Sequence, residues 1–211
     1  MLQALKKQVH TIVHKQAMST KSAHSSIVDY GVVSPTLNVP EGAQVATYGA
    51  GCFWGVEHMY RKHFAKRGLI DCKVGYAGGA MTSPTYNQVC TGGTGHAEVV
   101  QLSFDPKTVS YYDLTLFFFR MHDPTTLNSQ GPDRGSQYRS AIFYHSDAQK
   151  TDAERARDVA QEKYFPGARI VTQIVKADSF WDAEKYHQKY LQNNPGGYEC
   201  PSHYLRGESQ L

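Results

Sequence analysis

Apolar and polar positions divide the chain into two stretches of different character. From about residue 43 the pattern is regular. "AQVATYG" reads as a short strand, and "WGVEHMYRKHFAK" as a helix that gathers Val56, Met59, Tyr60 and Phe64 on one side. "LIDCKVGYA" (69–77) is a strand, followed by a Gly/Ser/Pro/Thr-rich loop over 78–95. "HAEVVQLSFD" (96–105) alternates like a half-buried strand. "DPKTVS" makes a turn and helix start, and Leu114 through Met121 continue as an aromatic-rich helix. A long polar loop covers 122–138. "SAIFYH" is a strand, "DAQKTDAERARDVAQEKY" a helix with Asp147 near its cap, and "RIVTQIVKA" a last strand. "SFWDAEKYHQKYLQNN" spaces its apolar residues as a last helix, and "PGGYECPSHYLRGESQL" is an irregular tail.

The order strand–helix–strand–strand–helix–strand is that of an α+β protein, a ferredoxin-like α/β sandwich built on a split βαβ, with one further helix and strand extending it. Loops as long as 78–95 and 122–138 are uncommon inside a compact domain unless they serve a function. With the irregular tail over 193–211, which reads as mobile, they are where function is expected.

Residues 1–40 differ. Leu2, Leu5, Val9, Ile12 and Val13 recur at helical spacing among lysines, and no acid precedes Asp29. The segment reads as a flexible extension or as an organelle transit segment, although it lacks arginine; Met18 offers a second start. The domain proper is placed at 41–211. Composition narrows the field further. The first 40 residues hold four lysines and one aspartate, so the formal net charge of +3 sits there and the remainder is neutral. A neutral domain gives no electrostatic case for nucleic acid or acidic lipid as a partner. The longest apolar runs, such as "LTLFFF", fall short of a membrane span. The four cysteines, Cys52, Cys72, Cys90 and Cys200, form no C-x-x-C knuckle, so a zinc site is not expected, and a reducing, cytoplasmic setting fits their number in a chain of this length. No metal, nucleotide or flavin motif is present, so no cofactor is expected.

Cys52 stands in "GAGCFWGVEH", where the strand pattern gives way to the helix. Free N–H groups at a helix start favour a thiolate. Gly51 permits a sharp turn and Gly55 keeps a flank open, while Phe53 and Trp54 offer apolar walls for a methyl or thioether. Taken alone, Cys52 fits a small buried hydrophobe as well. Cys72 and Cys90 read as packing residues. Cys200 lies in the Gly/Pro-rich tail, where a second thiol could condense with a sulfenic acid on Cys52. His96 and His187 read as hydrogen-bonded scaffold.

"GCFWG", "PTYNQVCTGGTGHAEVV", "HDPTT", "GPDRGSQYRSAIFY" and "AEKYHQKYLQNNPGGY" together, in this order, resemble the peptide methionine sulfoxide reductase A family over roughly residues 42–205. The resemblance implies an enzyme that reduces methionine S-sulfoxide, free and in proteins. It implies Cys52 as nucleophile, Glu98 as proton donor, Tyr86 and Tyr138 as hydroxyls for the sulfoxide oxygen, and Asp133 as a positioning carboxylate. Phe53 and Trp54 would hold the methyl group. Nothing cysteinic follows Cys200, so a single resolving thiol is expected, with thioredoxin reducing a Cys52–Cys200 disulfide in a monomeric protein; Cys72 or Cys90 is the alternative resolver. A mitochondrial share beside the cytoplasm would follow from the transit reading of the extension. A thiol peroxidase would need no proton donor beside an apolar methyl pocket. A cysteine hydrolase would need His96 or His58 beside Cys52, and a binding module would not need the thiol at all.

Overall fold

The computed structural model describes residues 31–207. The amphipathic run from Leu2 to Val13, and the last four residues, lie outside the described residues. One six-stranded sheet carries the fold. Its strands are β1 (Gln44–Ala50), β2 (Leu69–Ala77), β3 (Ala97–Phe104), β6 (Ser140–Tyr144), β7 (Gln173–Lys176) and β8 (Trp181–Asp182), in the order β7-β6-β1-β3-β2-β8. β4 (Ser129–Gln130) and β5 (Asp133–Arg134) pair separately as a small hairpin. β3 runs antiparallel between β1 and β2, and β1 runs antiparallel between β3 and β6. Each helical crossover therefore skips a strand, which is the split βαβ pattern twice over. β7 extends the sheet parallel to β6, and β8 closes the other edge against β2.

The helices are α1 (Phe53–Phe64), α2 (Tyr86–Cys90), α3 (Tyr111–Met121), α4 (Asp147–Lys163) and α5 (Tyr190–Asn193). Aromatic residues join the sheet to α1 and α3. Tyr48 of β1 stacks on Tyr60 of α1 at 5.5 Å and on Phe118 of α3 at 5.3 Å. Its hydroxyl donates to Thr115 Oγ1 at 2.8 Å, because the Thr115 hydrogen is already given to Tyr111 O. Ser110 caps α3 and Ser146 caps α4, each accepting from the backbone N–H three residues on. Asp147 thus lies in the first turn of α4.

Three sequence expectations are corrected. β3 is buried along its whole length, not on alternate residues. Its polar positions meet residues 31–38: Gln101 accepts from Ser34 N at 2.7 Å and donates to Val32 O at 2.9 Å, and Ser103 donates to Asn38 O at 2.6 Å. Part of the stretch assigned to the extension therefore lies on the sheet. The last helix over 179–194 is not formed. Trp181 and Asp182 pair with β2 instead, and the Gln188 side chain then bonds both N–H and C=O of Val74, standing in for a strand. Only Tyr190–Asn193 is helical there. Cys90, read as a packing residue, is exposed at the end of α2, a short helix that the loop reading of 78–95 did not contain.

Candidate active site

The turn from β1 into α1 has little freedom. Gly51 has φ +89°, and a Cβ there would lie 2.5 Å from Cβ of Gln130, so both backbone and space call for glycine. Cys52 follows as the N-cap residue of α1 and uses no side-chain cap. The helix start suggests a thiol with a lowered pKa, while a buried side chain is the other reading of the sequence; the structure has the thiol buried and its pKa raised. Cys52 is buried, and burial pushes its pKa well up, with the nearby Glu98 charge adding to the rise. The N–H groups of Trp54 and Gly55 act in the opposite sense, and burial outweighs them.

Glu98 arrives from the neighbouring strand. It pairs with Tyr76 in the β2–β3 register near the start of β3, level with the end of β1. Its side chain is 1% exposed, and Oε2 accepts from Phe53 N at 3.1 Å. A carboxyl is thus bonded to the residue directly after Cys52. Burial lifts its pKa to about 8; the Phe53 N–H opposes that shift and the Asp133 charge adds to it. At neutral pH Glu98 keeps its proton, and a neutral Glu98 removes one of the causes that hold the Cys52 thiol up, leaving burial and the Asp133 charge.

Tyr86, at the start of α2, and Tyr138, at the end of a 3-10 turn over Ser136–Tyr138, are half-buried. Both phenols have raised pKa values, through burial first and the Glu98 charge second, so both remain donors. Asp133, on β5, is within electrostatic reach of Cys52, Glu98 and Tyr138 and accepts from Tyr198 Oη at 3.1 Å. Phe53 lies 5.9 Å from Tyr76 and 6.5 Å from Trp54, ring to ring. The structure therefore gathers Cys52, Phe53, Trp54, Tyr86, Glu98, Asp133 and Tyr138 around one turn.

Cys200 lies on the far side of Gln130. Its Sγ donates to Gln130 O at 3.8 Å and lies 3.2 Å from Ser202 Oγ, while the stem of Gln130 packs against Gly51. Cys200 is buried, and both it and Cys52 are free thiols. Burial, the first cause, raises its pKa, and Ser202 lowers it.

Several contributors lie outside the site residues expected from sequence. His187, read there as scaffold on a helix, lies in the turn before α5 at the centre of an aromatic cluster. Its Nδ1 accepts from Trp54 Nε1 at 3.0 Å, and its ring is 5.1 Å from Phe53 and 4.5 Å from Tyr86. Glu184 accepts from Tyr76 Oη at 2.9 Å and from Tyr86 N at 2.8 Å, fixing the start of α2. Both belong to "AEKYHQKY", so the motif carried the signal, while its helical spacing concealed the turn. His203 is the third. Its Nε2 is 2.7 Å from Ala50 O and must carry the hydrogen, since a carbonyl only accepts. A Cβ on Gly55 would collide with its Nδ1. The flank that Gly55 was expected to leave open is filled by His203. By contrast, His96 accepts from Gly79 N at 3.2 Å through Nδ1 and bonds Met81 O at 2.7 Å through Nε2, so both its nitrogens are engaged in holding a loop.

Among the described residues no group of three or more His, Cys, Asp or Glu side chains could hold a metal ion, and no helix is long and apolar enough to cross a membrane. The family model for peptide methionine sulfoxide reductase matches residues 44–211. The peptide methionine sulfoxide reductase of Saccharomyces cerevisiae is 49% identical over 182 residues, covering 83% of this chain and 97% of the yeast protein. The crystal structure of Mxr1 from the same yeast in reduced form superposes with a TM-score of 0.79 at 48% identity, over 83% of this chain and 99% of that one. Mxr1 in complex with Trx2 superposes with a TM-score of 0.60 at 36% identity, over the same shares of the two chains. This chain belongs to the peptide methionine sulfoxide reductase family, oxidoreductases that reduce methionine sulfoxide.

Proposed function

We propose that the chain reduces the S epimer of methionine sulfoxide, free and in proteins, with Cys52 as nucleophile and Glu98 as acid. The observation that carries this reading is the bond from Phe53 N to Glu98, which holds a protonated, buried carboxyl beside the thiol. Sulfoxide oxygen is a poor leaving group until it is protonated. The Cys52 thiolate supplies an electron pair to sulfur, and with two protons the oxygen leaves as water. Water then attacks the sulfur of Cys52, giving the sulfenic acid, free methionine and one proton. Net, one oxygen passes from methionine to Cys52. Ionising the Cys52 thiol and protonating Glu98 favour each other, so the pair titrates as a unit. The hydroxyls of Tyr86 and Tyr138 hold the oxygen, Asp133 helps to position the site, and Phe53 and Trp54 receive the methyl group.

Cys200 then attacks the sulfenic sulfur; the S–O bond breaks, water leaves, and a Cys52–Cys200 disulfide forms. Their shared neighbour Gln130 supports this pairing. Thioredoxin returns both thiols, a reading supported by the yeast relative solved with Trx2. The basic, acid-poor start of the chain supports a mitochondrial share beside a cytoplasmic one, and a reporter fusion of residues 1–40 that stays diffuse would remove it. The function itself is tested with racemic methionine sulfoxide, thioredoxin, its reductase and NADPH. Half of the substrate, the S epimer, should be consumed. Consumption of the R epimer, or none even with dithiothreitol, would overturn the reading.

A further inference from the structure

Glu57 is an ionisable residue on the inner face of α1, 2% exposed, on the same buried face as Phe53, Val56, Met59 and Tyr60. Its Oε1 accepts from Arg61 Nε at 2.9 Å, and Arg61 in turn donates to Cys72 O at 2.6 Å. The other oxygen leaves the helix: Oε2 accepts from the backbone N of Lys189 at 2.8 Å. Lys189 has φ 56° and ψ 35°, the left-handed region that a residue with a Cβ enters only under constraint. The next residue, Tyr190, opens α5 and lies flat on Trp54, with centroids 3.7 Å apart and planes 13° from parallel. α5 has four residues and none of them is buried, so its place depends on the residues before it: the Gln188 side chain on Val74 anchors the segment to the sheet, and Glu57 holds the turn at Lys189 itself.

We infer that Glu57 is a positioning residue: by holding Lys189 in its left-handed turn it lays Tyr190 on Trp54 and sets the wall that receives the substrate methyl group. Trp54 is gripped from two sides by one segment, with His187 accepting at its indole N–H and Tyr190 covering its face. Glu57 touches neither substrate nor thiol. It acts on a surface that meets ground state and transition state alike, so its loss weakens binding and leaves the chemical step intact. The kinetic half of this inference rests on the function proposed above; the structural half does not.

The two halves are measured separately in a Trp181→Phe background, where Trp54 is the sole tryptophan among the two in the chain. Glu57→Leu should shift Trp54 emission to the red. It should also raise KM for methionine S-sulfoxide roughly three- to tenfold, the worth of one oriented aromatic contact, at nearly constant kcat. Tyr190→Leu should reproduce both changes, and combining the two should add nothing. Adding Lys189→Gly to Glu57→Leu should recover part of both signals, because glycine adopts the left-handed turn unaided. If Glu57→Leu does not fold, Glu57→Asp replaces it: the charge beside Arg61 remains, one methylene short of Lys189, and the same shifts are expected. Unchanged emission and KM, or a fall in kcat at constant KM, would overturn the inference. Absence of turnover in the parent would instead sink the sulfoxide reading, and Trp54 emission would still decide the role of Glu57.

Discussion

The two thiols assigned to the reaction sit in regions of opposite construction. Cys52 stands where a central strand meets a helix, and its surroundings are set by backbone geometry: the register of β3 against β2 and the N–H of Phe53. Cys200 belongs to a stretch, 194–207, with no helix or strand. That stretch is fastened by side chains to carbonyls: His203 to Ala50 O, Arg206 to His122 O at 2.6 Å, and Arg120 to the carbonyls of Arg206 and Gly207. The difference suits the roles proposed for the two thiols. An attacking thiol and its acid need fixed geometry before substrate arrives. A resolving thiol must move to a sulfur that has just changed, and bonds to carbonyls exchange with water at small net cost.

The largest effect should come from the rigid side. Cys52→Ser should lower turnover by more than about 10³-fold, with or without dithiothreitol, as loss of a nucleophile does. Glu98→Gln comes next, with a loss of about 10²–10⁴-fold in kcat/KM. Glu98 also fixes the pH dependence. The wild-type rate should fall as pH rises through about 8, where the carboxyl loses its proton, and the Gln variant should lack that limb. Stability carries the same sign. The folded carboxyl keeps its proton to about 8, whereas an unfolded one releases it near 4.5. The stabilising proton is thus fully present below 4.5 and lost as pH rises to 8. Melting curves at pH 9 should show Glu98→Gln more stable than wild type.

The resolving-thiol assignment breaks differently. Cys200→Ser should leave one product per enzyme with thioredoxin while turnover with dithiothreitol persists, as quenched-flow product counting would show. Gly55→Ala gives the smallest effect and compares the regions most directly. Alanine favours a helix, yet its Cβ must displace His203, and overpacking of this kind costs about 1–3 kcal/mol. A lower Tm with faster alkylation of Cys200 than of Cys52 is expected; equal acceleration of both would mean that the regions are not separable.

The regular side of this contrast was legible in sequence. Alternation and 3.6-residue spacing mark β1, α1, β2 and α4, and "GCFWG" and "GHAEVV" hold the thiol and the carboxyl that the fold brings together. What was hidden depends on partners distant along the chain. Gln101 and Ser103 read as solvent-facing until residues 31–38 cover them. Trp181 and Gln188 read as helical until the open edge of β2 claims them. His203 carried no periodic signal, because an irregular segment has none, and Gly55 reads as an open flank unless the histidine that fills it is known. The burial that raises the Cys52 pKa is likewise a property of the assembled core and not of the turn.

One measurement tests the central assignment most directly: a single turnover of reduced enzyme with racemic methionine sulfoxide and no external reductant, quenched and mapped by mass spectrometry. The expected result is one equivalent of methionine, drawn from the S epimer alone, and a disulfide joining Cys52 to Cys200. Methionine formed with Cys52 still a free thiol, or Cys52 bonded to Cys72 or Cys90, would contradict it.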